Sequence, residues 1–413
     1  MLPPVLEVYV VWHPRDTAGR QIAEEIVEHF HGTLFSGLIG GAIEVYVRSG
    51  GWRADTDAPR PLPLRANVLP PAVRQAMFTA VVPILGNELA AAVQQDASAW
   101  QTYIRAIAAA QASAPHRVGV FPYQLDRRVV NQTVLGEVLS PFQCIGASAI
   151  GAGETLKSAR CRDLSQAVAQ FLGKDRLTVF ISHTTRKSSG EARDVQALIA
   201  TVREAIRSSR LREFFDASDL QPGQDWDREL RNKAATSALL AIRTDLYPSR
   251  EWCQREMLIA KREGMPVIIM DALGDAEERG SFLMDHVPRV AVRMVEGHWR
   301  KVDVHRGLNL LVDECLKRVL WGHQANLAER ERGALKVTWW APHAPEPITL
   351  SNWLEGARVA GRLPSRGKDI LILHPDPPLG ADEKLVLQEM LRLAGIKNRL
   401  DVMTPRILAA RSG

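Results

Sequence analysis

The feature that most constrains the fold is an apolar, β-branched run placed directly before an amphipathic helical pattern, which occurs three times. The runs are LEVYVVW at residues 6–12, LTVFI at 177–181 and ILIL at 370–373. Each is followed by apolar residues at the spacing of a helix that covers one face of a sheet. Short apolar strands that alternate with helices are typical of parallel sheets covered on both faces. The sequence therefore predicts an α/β protein.

The same alternation continues inside the first two units. Further strands are predicted at 43–47, 80–85 and 117–121 in the first unit and at 239–242, 267–270 and 290–292 in the second. Helices are predicted at 98–110, near 226–235 and near 252–263. We therefore expect two doubly wound, flavodoxin-like parallel-sheet domains in tandem and a partial third α/β segment.

Changes in composition divide the 413 residues. The predicted parts are a domain at 1–140, a linker at 141–174, a domain at 175–325, a linker at 326–367 and a partial segment at 368–413. The first linker carries GASAIGAGE, which lacks the Lys-Ser/Thr ending of a phosphate-binding P-loop. The second carries the Pro-rich joint APHAPEP, which favours extended backbone. The last segment has few strands, so either it packs on another domain or, as we favour, the chain is a fragment of a longer protein.

Composition excludes several classes of function. The four cysteines (Cys144, Cys161, Cys253 and Cys315) show no paired spacing, which argues against a disulfide framework or a cysteine zinc site and fits a reducing cytoplasm. No apolar run approaches the roughly 18 residues of a membrane-spanning helix, and the N-terminus lacks the features of a signal peptide. A net charge of +5 without basic clusters argues against nucleic-acid binding and leaves attraction to an anionic small molecule open.

Three segments of the second unit resemble a bacterial TIR (Toll/interleukin-1 receptor) domain. They are DRLTVFISHTTRKS, EFFDASDLQPGQDWDREL and LLAIRTDLYPSREWCQREMLIAKREGMPVIIMDAL, and they occur in the order and spacing of the family over residues 175–325. The family contains adaptors that assemble signalling complexes and enzymes that hydrolyse or cyclise NAD⁺. In the enzymes, the glutamate of the Trp-Cys-x-x-Glu signature is catalytic. The resemblance gives that role to Glu256.

A single carboxylate is chemically sufficient for this reaction. Nicotinamide leaves NAD⁺ as a neutral molecule, so it needs no general acid, unlike the leaving oxygen of an ordinary glycoside. Ser249 is the predicted N-cap of the helix that carries Glu256. Trp252, four residues before Glu256, shares its helix face, so the indole is expected to wall one side of the pocket. The alternative is that Glu256 is an ordinary solvated helix residue.

Further residues are expected to bind NAD⁺ as substrate, with no other cofactor and no metal. These candidates lie at strand ends, in the loop after the second strand, just before the signature helix or on it: Phe180, Ser182, His183, Asp216, Asp219, Arg243, Tyr247 and Trp252. Structural alternatives stay open, since a strand-end His commonly caps a neighbouring loop and Asp residues commonly make turns.

The two flanking regions carry weaker resemblances. VYVVWHPRDTAGR in the first unit parallels VFISHTTRKSSGE, and aligning Trp100 with Trp252 puts Ile104 at the position of Glu256. The first unit thus resembles a degenerate TIR domain, which implies partner contact, regulation or sensing without NAD⁺ cleavage. The run RGKDILILHPDPPLGADEKLVLQEMLRLAG, at the start of the segment predicted at 368–413, resembles the start of SLOG-type nucleotide-sensing domains, which implies a nucleotide activator.

The leading expectation is a cytoplasmic NAD⁺ glycohydrolase of bacterial anti-phage defence. It would release nicotinamide and either ADP-ribose or a cyclised product, and self-association of TIR domains would activate it, as the resemblance implies. The alternative is a non-enzymatic TIR scaffold that signals by domain association. Glu256 favours the enzyme, but it does not separate hydrolysis from cyclisation, because both pass through the same oxocarbenium.

Overall fold

The chain forms two compact units, which we describe from a computed structural model. The structure describes residues 4–32, 35, 42–64, 75–131, 133–145, 153–174, 177–184, 191–209, 211–216, 228, 237–274, 280–331, 337–365 and 367–411. Unit 1 comprises Met1–Asp175 with Ser208–Arg210, and unit 2 comprises Arg176–Arg207 with Leu211–Gly413. Both contain parallel sheets interleaved with helices, so the predicted α/β class is confirmed. Across the described ranges, every helix is too short or too polar to cross a membrane.

Unit 1 is built on a parallel sheet in the order β2-β1-β3-β4, with a short β5 paired to the end of β3. Its strands are β1 (Leu6–Val11), β2 (Ile43–Arg48), β3 (Phe78–Leu85), β4 (Val118–Val120) and β5 (Tyr123–Gln124). Its helices are α1 (Thr17–His31), α2 (Asn87–Gln94), α3 (Ala99–Ser113), α4 (Val134–Leu139) and α5 (Leu156–Gly173). Strands and the helix α3 thus appear where the sequence predicts them.

Helix α5 lies inside residues 141–174, which the sequence analysis assigned to a linker. Thr155 caps its first turn by accepting a hydrogen bond from the amide of Ser158 at 3.1 Å. The helix packs against α1, where Arg160 Nη1 lies 2.7 Å from Glu25 Oε2. The first compact unit therefore extends to residue 175 instead of ending at 140.

Unit 2 contains a five-stranded parallel sheet in the order β10-β9-β8-β6-β7. The strands are β6 (Thr178–Ser182), β7 (Arg212–Asp216), β8 (Ser237–Arg243), β9 (Val267–Asp271) and β10 (Arg289–Ala291). Helices α6 (Glu191–Ser208) and α8 (Lys301–Glu331) flank the sheet together with α7 (Glu251–Arg262). A hairpin of β11 (Met294–Val295) and β12 (His298–Trp299) follows the last strand. The helix predicted near 226–235 falls outside the described residues except for Arg228.

Both faces of this sheet are covered by apolar clusters. One cluster joins β6 and β8 to α6 and α8 through residues such as Leu198, Val202 and Leu308, which are fully buried. The other joins the sheet to α7 through Met257 and Ala260. Because β8 is buried on both sides, its sequence is a continuous apolar run and does not alternate.

The third segment is larger than the sequence predicted. Strands β13 (Trp339–Trp340), β14 (Ile370–Leu373) and β15 (Leu400–Met403) form a parallel sheet in the order β13-β14-β15. The segment also contains α9 (Pro347–Val359), α10 (Ala381–Leu393) and α11 (Pro405–Arg411). Strand β13, helix α9 and the end of α8 all lie in the predicted linker 326–367, so these residues are an ordered part of unit 2.

Candidate functional site

The candidate site lies where the strand order of unit 2 reverses. Strand β7 pairs with one edge of β6, and the chain then crosses over so that β8 pairs with the opposite edge of β6. Loops that leave the carboxyl ends of β6 and β8 therefore diverge, and the crevice between them is the usual ligand site of such sheets. Ser182 ends β6, Tyr247 follows β8, and Glu256 lies on α7, the next helix.

Three of the predicted residues meet in this crevice through hydrogen bonds. The Ser182 hydroxyl donates a short hydrogen bond to Glu256 Oε2 and lies 2.6 Å from the Tyr247 hydroxyl. Because Ser182 donates to the carboxylate, the Tyr247 hydroxyl donates to Ser182, which makes a chain from Tyr247 through Ser182 to Glu256. Burial raises the pKa of Tyr247 well above its usual value, so the phenol remains a donor.

The carboxylate of Glu256 is buried. Only 3% of Glu256 is exposed, and Ser182 and Tyr247 are still less exposed. The alternative of an ordinary solvated helix residue is therefore wrong. A carboxylate is costly to bury unless hydrogen bonds replace its water, which is what the Ser182 hydroxyl does for one of its oxygens.

The local sequence explains why α7 turns Glu256 inward. Cys253, Glu256, Met257 and Ala260 are buried at the three- and four-residue spacing of one helix face. Three members of this stripe pack on the apolar cluster beneath α7, and Glu256 is the polar exception. The predicted N-cap at Ser249 is wrong, because α7 begins after Arg250 and the Ser249 hydroxyl instead bonds the carbonyl of Leu246 at 2.9 Å.

Trp252 does not enclose Glu256 as the sequence analysis expected. Its side chain lies on the first turn of α7 and is 57% exposed, with the Arg255 guanidinium 5.5 Å from the ring centroid. The four-residue spacing from Glu256 is present, but Trp252 lies on the exposed side of the first turn, whose next residue, Cys253, is buried. The indole is accessible, so its predicted role in binding NAD⁺ stays a prediction.

The predicted residues Phe180 and His183, at the end of β6, differ in how exposed they are. Phe180 is 2% exposed and belongs to the apolar cluster that also contains Tyr247 and Met257, so it supports the site from below. His183 is half-buried, and its Nδ1 lies 3.1 Å from the carbonyl oxygen of Thr184. A ligand therefore reaches His183 more readily than Phe180.

The remaining predicted residues lie at neighbouring strand ends. Arg243 ends β8 in register with Asp271, and Arg243 Nη1 lies 3.0 Å from Asp271 Oδ1. Sequence reasoning missed Asp271, whose pairing with Arg243 becomes visible once β8 and β9 are placed in register. Asp216 ends β7 opposite Ile181, whereas Asp219 lies outside the described residues.

Cys253 adjoins Glu256 but is not arranged as a nucleophile. Its thiol is almost fully buried and lies 3.7 Å from the carbonyl oxygen of His183. Burial, followed by the charge of Glu256, raises the pKa of this thiol far above its ordinary value. The thiolate that nucleophilic chemistry needs is therefore disfavoured.

Comparison with known proteins agrees with this geometry. Residues 179–295 match the family model described as TIR domain. The match runs from β6 to β11 and includes Ser182, Tyr247 and Glu256. No curated protein matches the chain. A TIR domain supports an NAD-related or signalling function in general, and unit 2 of this chain contains a TIR domain at residues 179–295.

Proposed function

We propose that the TIR domain cleaves NAD⁺ at the bond between nicotinamide and ribose, with Glu256 as the catalytic carboxylate. The observation that carries this proposal is the burial of Glu256 in the crevice between β6 and β8. Its neighbours in the helix stripe are apolar, and an apolar residue at 256 would satisfy the packing alone. Buried ionisable groups in a cleft are typical of functional sites.

The proposed chemistry uses one negative charge. The bond between C1′ of the ribose and the nicotinamide nitrogen breaks, and its electron pair leaves with nicotinamide, which becomes neutral. The ribose becomes an oxocarbenium, whose positive charge the Glu256 carboxylate stabilises in a site with little water. Water then adds to C1′ and loses a proton to give ADP-ribose, or an adenine nitrogen attacks to give a cyclised product.

The burial of Glu256 supports a requirement for the assembly of TIR domains. A ribose must contact the carboxylate, yet only 3% of Glu256 is exposed. The crevice must therefore open before the reaction, and contacts between TIR domains are our proposed means of opening it. A monomer is then silent or weakly active, and an assembled form is active.

The decisive experiment is incubation of the protein with NAD⁺ in two forms. One is the unmodified chain, and the other is the chain fused to a tetrameric coiled coil that forces the TIR domains together. We expect the assembled form to release nicotinamide. Chromatography of the products then separates ADP-ribose from a cyclised product. Absence of release from both forms would contradict the enzyme and favour the non-enzymatic scaffold.

Replacing Ser182 with Ala should lower kcat for nicotinamide release by about tenfold, since a misplaced catalytic group loses rate steeply. The hydroxyl positions one oxygen of Glu256, and the change removes that hydrogen bond with little loss of volume. Ser249→Ala is the matched control, because its hydroxyl bonds only the carbonyl of Leu246 among the contacts described. Equal kcat values for the two variants would argue against a positioning role for Ser182.

For unit 1 we propose a TIR-like domain that does not cleave NAD⁺. Its strand order, β2-β1-β3-β4, corresponds to β7-β6-β8-β9 of the TIR sheet. Trp100 is 2% exposed and Ile104 is fully buried in an apolar cluster, so the aligned position holds a core side chain and not a carboxylate. Partner contact or regulation is the role that we propose for this unit. A nucleotide activator for the C-terminal segment and a place in anti-phage defence are proposals that rest on the family resemblance.

A further inference from the structure

Helix α7 is held at its far end by a buried ion pair. Lys261 follows Glu256 by five residues, and its side chain is only 5% exposed. Its ammonium lies 2.8 and 2.9 Å from the two carboxylate oxygens of Glu346 and 2.7 Å from the carbonyl oxygen of Asp285. Three acceptors thus meet the three donors of one ammonium group.

The partner residue belongs to the Pro-rich joint after the TIR domain. We name residues 346–352 the clamp segment. Glu346 caps helix α9, because its carboxylate also accepts from the backbone of Thr349. Asn352 Nδ2 donates to the carbonyl oxygen of Arg262 at 3.0 Å, on the last residue of α7, where helix carbonyls lack internal partners. Ile348 packs on the apolar cluster beneath Glu256.

We propose that Lys261 and Glu346 are positioning residues for Glu256, so that the clamp segment fixes the geometry of the catalytic site. This inference rests on the proposed function. Apolar packing has no direction and lets a helix slide or turn slightly, whereas three hydrogen bonds from one buried ammonium define a single position. A helix is stiff over five residues, or about 7.5 Å, so a shift at Lys261 moves Glu256 from the Ser182 hydroxyl.

The two charges depend on each other. Burial lowers the pKa of Lys261 and raises that of Glu346, and in both residues the partner charge opposes this effect. If either residue is neutralised, the other is left as an uncompensated buried charge. The geometry of α7 is therefore expected to respond to a change at Glu346, although that residue lies outside the stretch 179–295 that matches the TIR family.

The experiment compares kinetics and stability of assembled full-length variants. Glu346→Gln and Lys261→Met should each lower both Tm and kcat, with kcat falling about tenfold and KM changing less than about twofold. Lys261→Met/Glu346→Leu should recover most of the Tm, because apolar side chains replace buried ion pairs well. Its kcat should stay about tenfold low, because the directional contacts remain absent. Recovery of kcat together with Tm would overturn the proposal.

A matched control and a second readout separate this proposal from the proposed function. Glu204→Gln breaks an exposed ion pair with Lys301 in the same unit and should change neither kcat nor Tm. Cys253, which is 2% exposed on α7, reports helix position through its rate of alkylation, measured by mass spectrometry. Faster alkylation in Glu346→Gln than in Glu204→Gln supports the clamp even if wild type releases no nicotinamide. Equal rates would overturn the clamp whatever the activity.

Discussion

Replacing Glu256 with Gln should reduce nicotinamide release by the assembled protein about 10³-fold or more. The change removes the only negative charge that, in the proposed mechanism, stabilises the oxocarbenium-like transition state. Gln has nearly the same volume and keeps an oxygen that accepts from the Ser182 hydroxyl. Packing of α7 is therefore preserved while the negative charge is lost. Chromatographic measurement of kcat and KM should show the loss in kcat.

The matched control for this substitution is Glu251→Gln. Glu251 lies on the first turn of the same helix and is exposed, so the same chemical change there should leave kcat within about twofold of wild type, as is usual for surface substitutions. Thermal unfolding supplies a second check. A Tm of Glu256→Gln close to that of wild type would show that the loss of kcat comes from the chemistry and not from unfolding. Comparable activity of the two variants would exclude Glu256 as the catalytic residue.

Strands β8 and β9 were the most predictable part of this fold, because each is an apolar run that is buried along most of its length. The prediction at 239–242 corresponds to β8 (Ser237–Arg243), and that at 267–270 to β9 (Val267–Asp271). Helix α5 was missed because its buried face carries Arg162, Asp163 and Ser165. Polar side chains that satisfy one another inside a protein do not produce the apolar period from which a helix is predicted.

The candidate site was predictable in part, and the reason lies in helix geometry. Glu256 interrupts an otherwise apolar stripe with Cys253 and Met257, a pattern that is visible in the sequence without any structure. Contacts between distant segments are not visible in this way. The hydrogen bond from Ser182 and the ion pair from Lys261 to Glu346 join residues 74 and 85 positions apart, and only the folded chain brings them together.

The second large effect is expected in unit 1, where Arg162→Met should lower the free energy of unfolding by about 3–5 kcal/mol, the usual cost of breaking a buried ion pair. Arg162 bonds Glu154 through Nη1, and its Nη2 lies 3.0 Å from Asp163 Oδ1. All three side chains are 1% exposed. Met fills the volume of the arginine stem but removes the cation that both buried carboxylates bond.

Lys157→Met on the same helix provides the comparison for Arg162→Met. Lys157 pairs with Glu28 at 2.7 Å, but both side chains are largely exposed, so water replaces the lost contact and little stability should be lost. Denaturant unfolding measures both variants, and hydrogen exchange of peptides from α1 and α5 assigns the transition to unit 1. Equal midpoints would mean that the buried ion pairs of Arg162 contribute no more to stability than the exposed pair of Lys157. A lower free energy of unfolding in Arg162→Met alone would instead show that α5, whose residues were predicted to be a linker, is part of the core of unit 1.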